Sequence, residues 1–309
     1  MLRFKKFLIE KSLKATKVGE MDDSEKMLHT QNKAEGDNWH RDHPVNHMNI
    51  VDHWNKSTPD ERHNGTHWYK DAQHFSQTLA KDTGVSHKTM AGLTANYSPQ
   101  TDWHTNMLTA ARVARHKVAV GGPKQEPFMG KKAFASEDQR KNGERILGGE
   151  DYNNVLKGHK IRHFGHLIEH GGDADSKNPH VAIDRHAYSV AAGARITDQA
   201  FGSAGLKSPK KYTEMVGHYK KAADHINSVS GAKEGDANHI KPHQVQAVTW
   251  LTRQRLNNEE DSAAAKGTGK KGNWGKVRSD TKSTWSQYAK ENHPKIATQF
   301  ESYDNEGLE

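Results

Sequence analysis

The sequence predicts an all-α fold, and three observations carry that expectation. Apolar residues recur at helical spacing from Val45 to about Arg255, and no convincing run of alternating strand pattern interrupts them. Gly, Pro and Ser punctuate that stretch at helix-length intervals. Only 32% of the 309 residues are apolar, which suits one compact helical domain flanked by polar segments rather than a chain buried throughout.

The elements follow in order. Residues 1–17 form an amphipathic basic leader, in which Leu2, Phe4, Phe7, Leu8, Ile9 and Leu13 alternate with six basic residues and one acid. Its apolar part is too broken for a secretory signal. Residues 18–44 are polar and read as a linker. Within the domain, 45–258, Trp68, Tyr69, Ala72, Phe75 and Leu79 lie on one helix that Gly84 ends. Met90 to Val118 reads as two helices around Ser98-Pro99, an N-cap followed by a first-turn proline. Glu137 to Leu147 is a helix closed by Gly148-Gly149. Tyr152 to Leu156 and Lys160 to Glu169 make a hairpin around Gly158. Ile183 to Gly193, Pro209 to Val229 and Pro242 to Leu256 complete the domain. Residues 259–309 read as a basic polar tail with Trp274 and Trp285 and a short docking helix from Thr284 to Phe300. Interleaved basic and aromatic residues of this kind can hold single-stranded nucleic acid; a solvated tail fits the same composition.

Composition excludes several chemistries. With no cysteine there is no disulfide, thiolate zinc site, cysteine nucleophile or cysteine-ligated cluster. No run approaches the length of a membrane span. Lys+Arg 46 against Asp+Glu 38 gives +8, a balance that suits DNA as partner and equally suits plain solubility. His159, His163, His166 and His170 form a stripe on one helix face, but without a His-Glu-x-x-His pattern and with 22 histidines in the chain no metal site is expected, and no cofactor.

Three constellations could carry chemistry. In the first, Gln100, Asp102 and Asn106 follow Ser98-Pro99, where polar side chains at a helix start can meet a phosphate or a base edge. Capping by Ser98 and Asp102, with Asn106 bonded to a neighbouring loop, fits the same spacing. In the second, Gly158, His159, Lys160 and Arg162 open a helix with backbone N–H groups and cations suited to a phosphate. In the third, Val181-Ala182-Ile183 ends in Asp184 before a new helix that carries His186. This puts a carboxylate where the helix dipole favours negative charge, able to stabilise a sugar cation, to activate water, or simply to cap.

Taken in order, the Ser-x-Gln-Thr-Asp…Asn helix start, the Leu-x-Gly…Lys hairpin and the apolar-Asp-x-His-Ala segment resemble the helix-hairpin-helix DNA glycosylases of the endonuclease III type over residues 65–255. The resemblance implies a two-lobed helical bundle with flexible terminal segments, DNA as partner, and a basic cleft. It implies contacts to DNA from Gln100, Asn106, Gly158, His159, Arg162, His186 and Arg253. Asp184 would be catalytic, and Lys160 would be the nucleophile of a Schiff-base lyase step. The hairpin departs from Gly-x-Gly in having His159 after Gly158, and Lys160 and Asp184 are 24 residues apart. The patterns Trp68-Tyr69…Ala72, Ser98…Trp103…Asn106, Leu156…Lys160…Phe164, Ile183…Ala187 and Gln246-Ala247…Trp250…Arg253 also resemble an uncharacterised domain family of tailed phages and actinobacteria. The leader, with Leu8-Ile9-Glu10, is similar to phage capsid-targeting sequences. That likeness implies the capsid and a prohead protease as partners and a place in the host cytoplasm or virion head. The expected function is that of a phage-type DNA-binding protein with a glycosylase-like domain that acts on or modifies DNA bases, by N-glycosidic cleavage with or without the Schiff-base lyase step. The alternative is a non-enzymatic DNA-binding protein of the phage head.

Overall fold

A computed structural model describes residues 23–99, 101, 103–116, 136–172 and 179–268. The chain is all-helical there, with no strand among the described residues. In chain order the helices are α1 (Asp23–Asp42), α2 (His47–Asn55), α3 (Pro59–Thr83), α4 (His87–Tyr97), α5 (Trp103–His116), α6 (Glu137–Leu147), α7 (Tyr152–Val155), α8 (His159–His170), α9 (Arg185–Ala192), α10 (Asp198–Ser203), α11 (Pro209–Ser230) and α12 (Pro242–Thr268). No described helix is long and apolar enough to cross a membrane.

Local chemistry sets the boundaries. Thr58 and Glu61 form a reciprocal capping box at the start of α3, with Pro59 in the first turn. Ser136 and Gln139 do the same for α6. Gly84 closes α3 in the left-handed region, φ 69°, where a Cβ is disfavoured.

Two hydrophobic clusters make the core. One gathers Phe75 and Leu79 of α3, Met90, Leu93 and Tyr97 of α4, Met107 and Val113 of α5, Ile146 of α6 and Tyr152 of α7. The other gathers Ile50 and Trp54 of α2, Val181 and Ile183, Tyr188 and Val190 of α9, Tyr212 and Tyr219 of α11, and Val245 and Val248 of α12. Helices α3 and α12 cross where Gly65 meets Val248 so closely that an added Cβ would stand 2.5 Å from the Val248 Cα. Smaller clusters around Trp68, Tyr69, Phe164, Leu167 and Ala247 fill the seam.

Three local expectations are corrected. Residues 23–42 of the expected linker form α1, which buries Asn32 and Gly36 and packs on α10. His40 Nε2 lies 2.9 Å from the Ala200 carbonyl and 3.1 Å from Ser203 Oγ. The polar sequence of α1 hides the helix because what it buries outright is Asn32 and Gly36, with Trp39 packing in part against the second cluster, rather than an apolar stripe. Ser98 is not an N-cap: its backbone is still helical and it closes α4, with Oγ donating to the Ala95 carbonyl at 2.9 Å, and α5 begins only at Trp103. Helix α12 runs on to Thr268 rather than ending near Leu256, because Arg253–Glu260, Arg255–Glu259 and Arg195–Asp261 ion pairs support its polar continuation. The leader and the docking helix expected from Thr284 to Phe300 lie outside the described residues, as do Trp274 and Trp285.

Candidate functional site

A half-open cavity of about 120 Å³ sits at the seam between the two core clusters. Trp68 and Tyr69 of α3, Ser98, Thr101, Trp103 and Asn106 around the α4–α5 turn, and Lys160 and Phe164 of α8 line it. Ala182 and Asp184, and Gln246, Ala247 and Trp250 of α12, complete the wall. The structure therefore brings Asp184, Lys160 and Asn106 into one cavity from three segments distant in sequence.

The aromatic wall is a contiguous ring cluster. Trp68 lies 4.8 Å from Trp103 and 5.8 Å from Phe164 between centroids, and Trp68 and Tyr69 meet edge-on at 4.8 Å. Such faces accept a flat heteroaromatic ring by stacking.

Asp184 is held from several sides. It caps α9, with Oδ1 accepting from the Ala187 N–H at 2.8 Å, while Oδ2 accepts from the Trp250 indole Nε1–H at 3.1 Å. The backbone leading into it is clamped. The Val181 N–H donates to His163 Nδ1 at 3.1 Å, the Tyr212 hydroxyl donates to the Val181 carbonyl at 2.8 Å, and the Ile183 N–H donates to the same hydroxyl at 2.9 Å. Accepting from Val181 requires an unprotonated Nδ1 on His163. Burial, with His180 and other neighbouring cations adding to it, pushes the His163 imidazole down to about 4. Tyr69 is pushed upward by burial and then by the Asp184 charge. His186 is pushed downward by burial, against the pull of Asp184.

Asn106 is 2% exposed and its Oδ1 has no hydrogen-bond partner. Gln246 is also buried, and its Oε1 accepts from the Tyr69 hydroxyl at 2.8 Å.

The other expected site residues lie as follows. Gly158 is the exposed N-cap of α8, and no side chain caps that helix start. His159 packs on Tyr212, with ring centroids 5.2 Å apart, and Arg162 Nη2 lies 3.2 Å from His159 Nδ1. His186 stands perpendicular to Trp250 at 6.1 Å. Arg253 is buried and bonded to Asn257 and Glu260, so its guanidinium serves α12 rather than the cavity. Gln100 and Asp102 lie outside the described residues. Reasoning from the sequence did not assign Trp68, Trp103, Phe164, Gln246 and Trp250 to a site, although each stands in one of the spaced patterns noted above. The histidine stripe is used for packing: His166 stacks on His180 at 3.7 Å and meets His170 at 4.2 Å. Among the described residues no three His, Asp or Glu side chains are grouped to hold a metal ion.

The model of a family of unknown function (DUF7178) matches residues 30–257, and the chain belongs to that family. No curated protein and no solved structure matches the chain.

Proposed function

We propose that the chain processes DNA bases in the manner of a helix-hairpin-helix DNA glycosylase, with the seam cavity as the pocket for a flipped base. One observation carries this reading: a stacking wall of Trp68, Trp103 and Phe164 shares one small cavity with a carboxylate, Asp184, and an amine, Lys160. Base chemistry on a duplex needs such a pocket, because the reacting bond is inaccessible within the stack. The two core clusters on either side of the cavity support a two-lobed arrangement, and the uncapped start of α8 at Gly158 supports a grip on the phosphate backbone.

In this reading the bond from the sugar C1′ to the base nitrogen breaks with its electron pair leaving on the base. Asp184 stabilises the cationic sugar or takes the proton of the attacking water. Lys160 Nζ is the alternative nucleophile at C1′ once its ammonium has passed a proton to the departing base; the C1′–O4′ bond then breaks, O4′ takes a second proton from Nζ, and a protonated Schiff base remains. Trp250 and the Val181–Ile183 clamp orient Asp184.

The test is borohydride trapping on duplexes with damaged, mismatched and abasic sites, together with base release. An adduct that requires Lys160, and base release that requires Asp184, support the reading. Salt-sensitive DNA binding with neither adduct nor release identifies a non-enzymatic DNA-binding protein instead.

A further inference from the structure

We infer that the base taken into the cavity is one that carries an exocyclic amino group, as adenine and cytosine do, in preference to its keto counterpart. This rests on the base-pocket reading above and deepens it. The α4–α5 side of the cavity presents hydrogen-bond acceptors. Ser98 Oγ donates its one proton to the Ala95 carbonyl at 2.9 Å, and Thr101 Oγ1 donates its one proton to the Tyr97 carbonyl at 2.5 Å. A hydroxyl whose proton is spent offers only lone pairs to anything else. Asn106 lines the same cavity, and its Oδ1 is buried and without a partner. A buried acceptor left unpaired is costly, so this oxygen calls for a donor from whatever fills the cavity.

Donors come from elsewhere in the wall. The Tyr69 hydroxyl fixes Gln246 Oε1, which leaves the amide NH2 as the end able to donate, and Lys160 adds an ammonium. An amino group beside a ring nitrogen complements this distribution, with N–H toward Ser98, Thr101 and Asn106 and a ring acceptor toward Gln246 or Lys160. A keto oxygen in place of the amino group sets lone pairs against lone pairs and leaves Asn106 Oδ1 unpaired. The aromatic faces of Trp68, Trp103 and Phe164 stack either kind of base and so do not discriminate.

The experiment titrates the full chain with two nucleoside pairs that differ at this group and at the ring nitrogen beside it, which is an acceptor in the amino member and an N–H donor in the keto member: deoxyadenosine against deoxyinosine and deoxycytidine against deoxyuridine. Binding is read by tryptophan fluorescence and by saturation-transfer NMR. The amino members are expected to bind roughly 10-fold tighter than their keto partners, the consequence of one buried acceptor satisfied or left bare. Asn106→Leu, close to isosteric and without the acceptor, should weaken the amino ligands and leave the keto ligands no weaker, so that the two converge. If Asn106→Leu does not fold, Thr101→Val, at a half-buried position, should narrow the preference several-fold. Equal or tighter binding of the keto members overturns the amino-group inference and leaves the base pocket standing. No binding of any of the four at millimolar concentration overturns the base-pocket reading together with it.

Discussion

The Tyr212 hydroxyl ties down the backbone that presents Asp184, so Tyr212→Phe is a demanding test of how the site is built. The hydroxyl donates to the Val181 carbonyl and accepts from the Ile183 N–H, at 2.8 and 2.9 Å. Tyr212, Val181 and Ile183 are 3%, 0% and 2% exposed, so water cannot replace the missing oxygen without rearrangement. Each stranded backbone group costs about 1–3 kcal/mol, which puts the substitution at about 3 kcal/mol once partial relaxation is allowed. For a domain of this size that is roughly 6–12 °C in Tm. Tyr219→Phe is the internal control: Tyr219 is equally buried, but its hydroxyl donates to the Ala187 carbonyl within α9, at 2.9 Å, and otherwise meets the Thr249 hydroxyl, which has backbone carbonyls of its own to bond, so its loss strands no backbone N–H and should cost about 1 kcal/mol. Urea denaturation of the two variants beside the parent gives both numbers. If the proposed function holds, base release should fall further than DNA affinity in Tyr212→Phe, because Asp184 is loosened and the start of α8 is not. A Tyr212→Phe protein within 1 kcal/mol of the parent, or no worse than Tyr219→Phe, would refute the clamp.

Four further outcomes are expected. Gly65→Ala places a Cβ within 2.6 Å of Val248 Cγ2, Cα and N; crowding against backbone of about 1–3 kcal/mol or more outweighs the gain in helix propensity of about 1 kcal/mol, so Tm should drop. Gly84→Ala meets no atom within 4 Å and should cost only about 1 kcal/mol, from its positive φ; equal losses in the two variants would contradict the packing account. His163, lowered by burial to about 4, takes up its proton later in the folded chain than in the unfolded one, so stability should fall as pH drops from 6.5 toward 4. The full linkage is about 3 kcal/mol, nearer 2 after allowance for partial exposure; the pH 7 to 4.5 change in stability of the parent minus that of His163→Asn, which keeps an acceptor for Val181 without titrating, isolates it from His53, His87, His186 and His218, which burial also lowers. Asp184→Asn keeps a capping oxygen but sets its NH2 against the Trp250 indole N–H and should cost about 1–3 kcal/mol in stability, while under the proposed function base release falls roughly 100-fold; unchanged release in a folded variant would remove Asp184 from the proposed chemistry.

How far the sequence revealed this arrangement depends on what kind of signal each part leaves. Helices that bury an apolar stripe, such as α3 and α11, are written in their periodicity, and caps such as Ser136 and Gly84 mark their ends. Helix α1 leaves no such stripe, because Asn32, Gly36 and His40 dock it through small and polar contacts and Trp39 adds one part-buried ring. The cavity is harder to read for a different reason. Trp68, Phe164 and Trp250 sit at helical spacings that any core residue would occupy, and nothing local tells a tryptophan that lines a cavity from one that fills a core. The bond from Trp250 to Asp184 spans 66 residues and exists only after α9 and α12 have packed.

Asp184 shows why local reading leaves its role open. An acid before a helix is a cap on local grounds, and the structure shows it capping: Oδ1 accepts from the Ala187 N–H. The same bond fixes the carboxylate's rotation, and Trp250 fixes its other oxygen, so that a side chain at a helix start is also a side chain set rigidly in a cavity wall. A carboxylate accepts several hydrogen bonds, and one used for capping leaves lone pairs for a ligand. Capping and chemistry are therefore compatible at this residue, and a group that must meet a developing charge in a fixed geometry gains from being anchored in this way. What separates a cap of this kind from an ordinary one is the company it keeps across the cavity, Lys160, Asn106 and the tryptophans, and that company is assembled by tertiary packing.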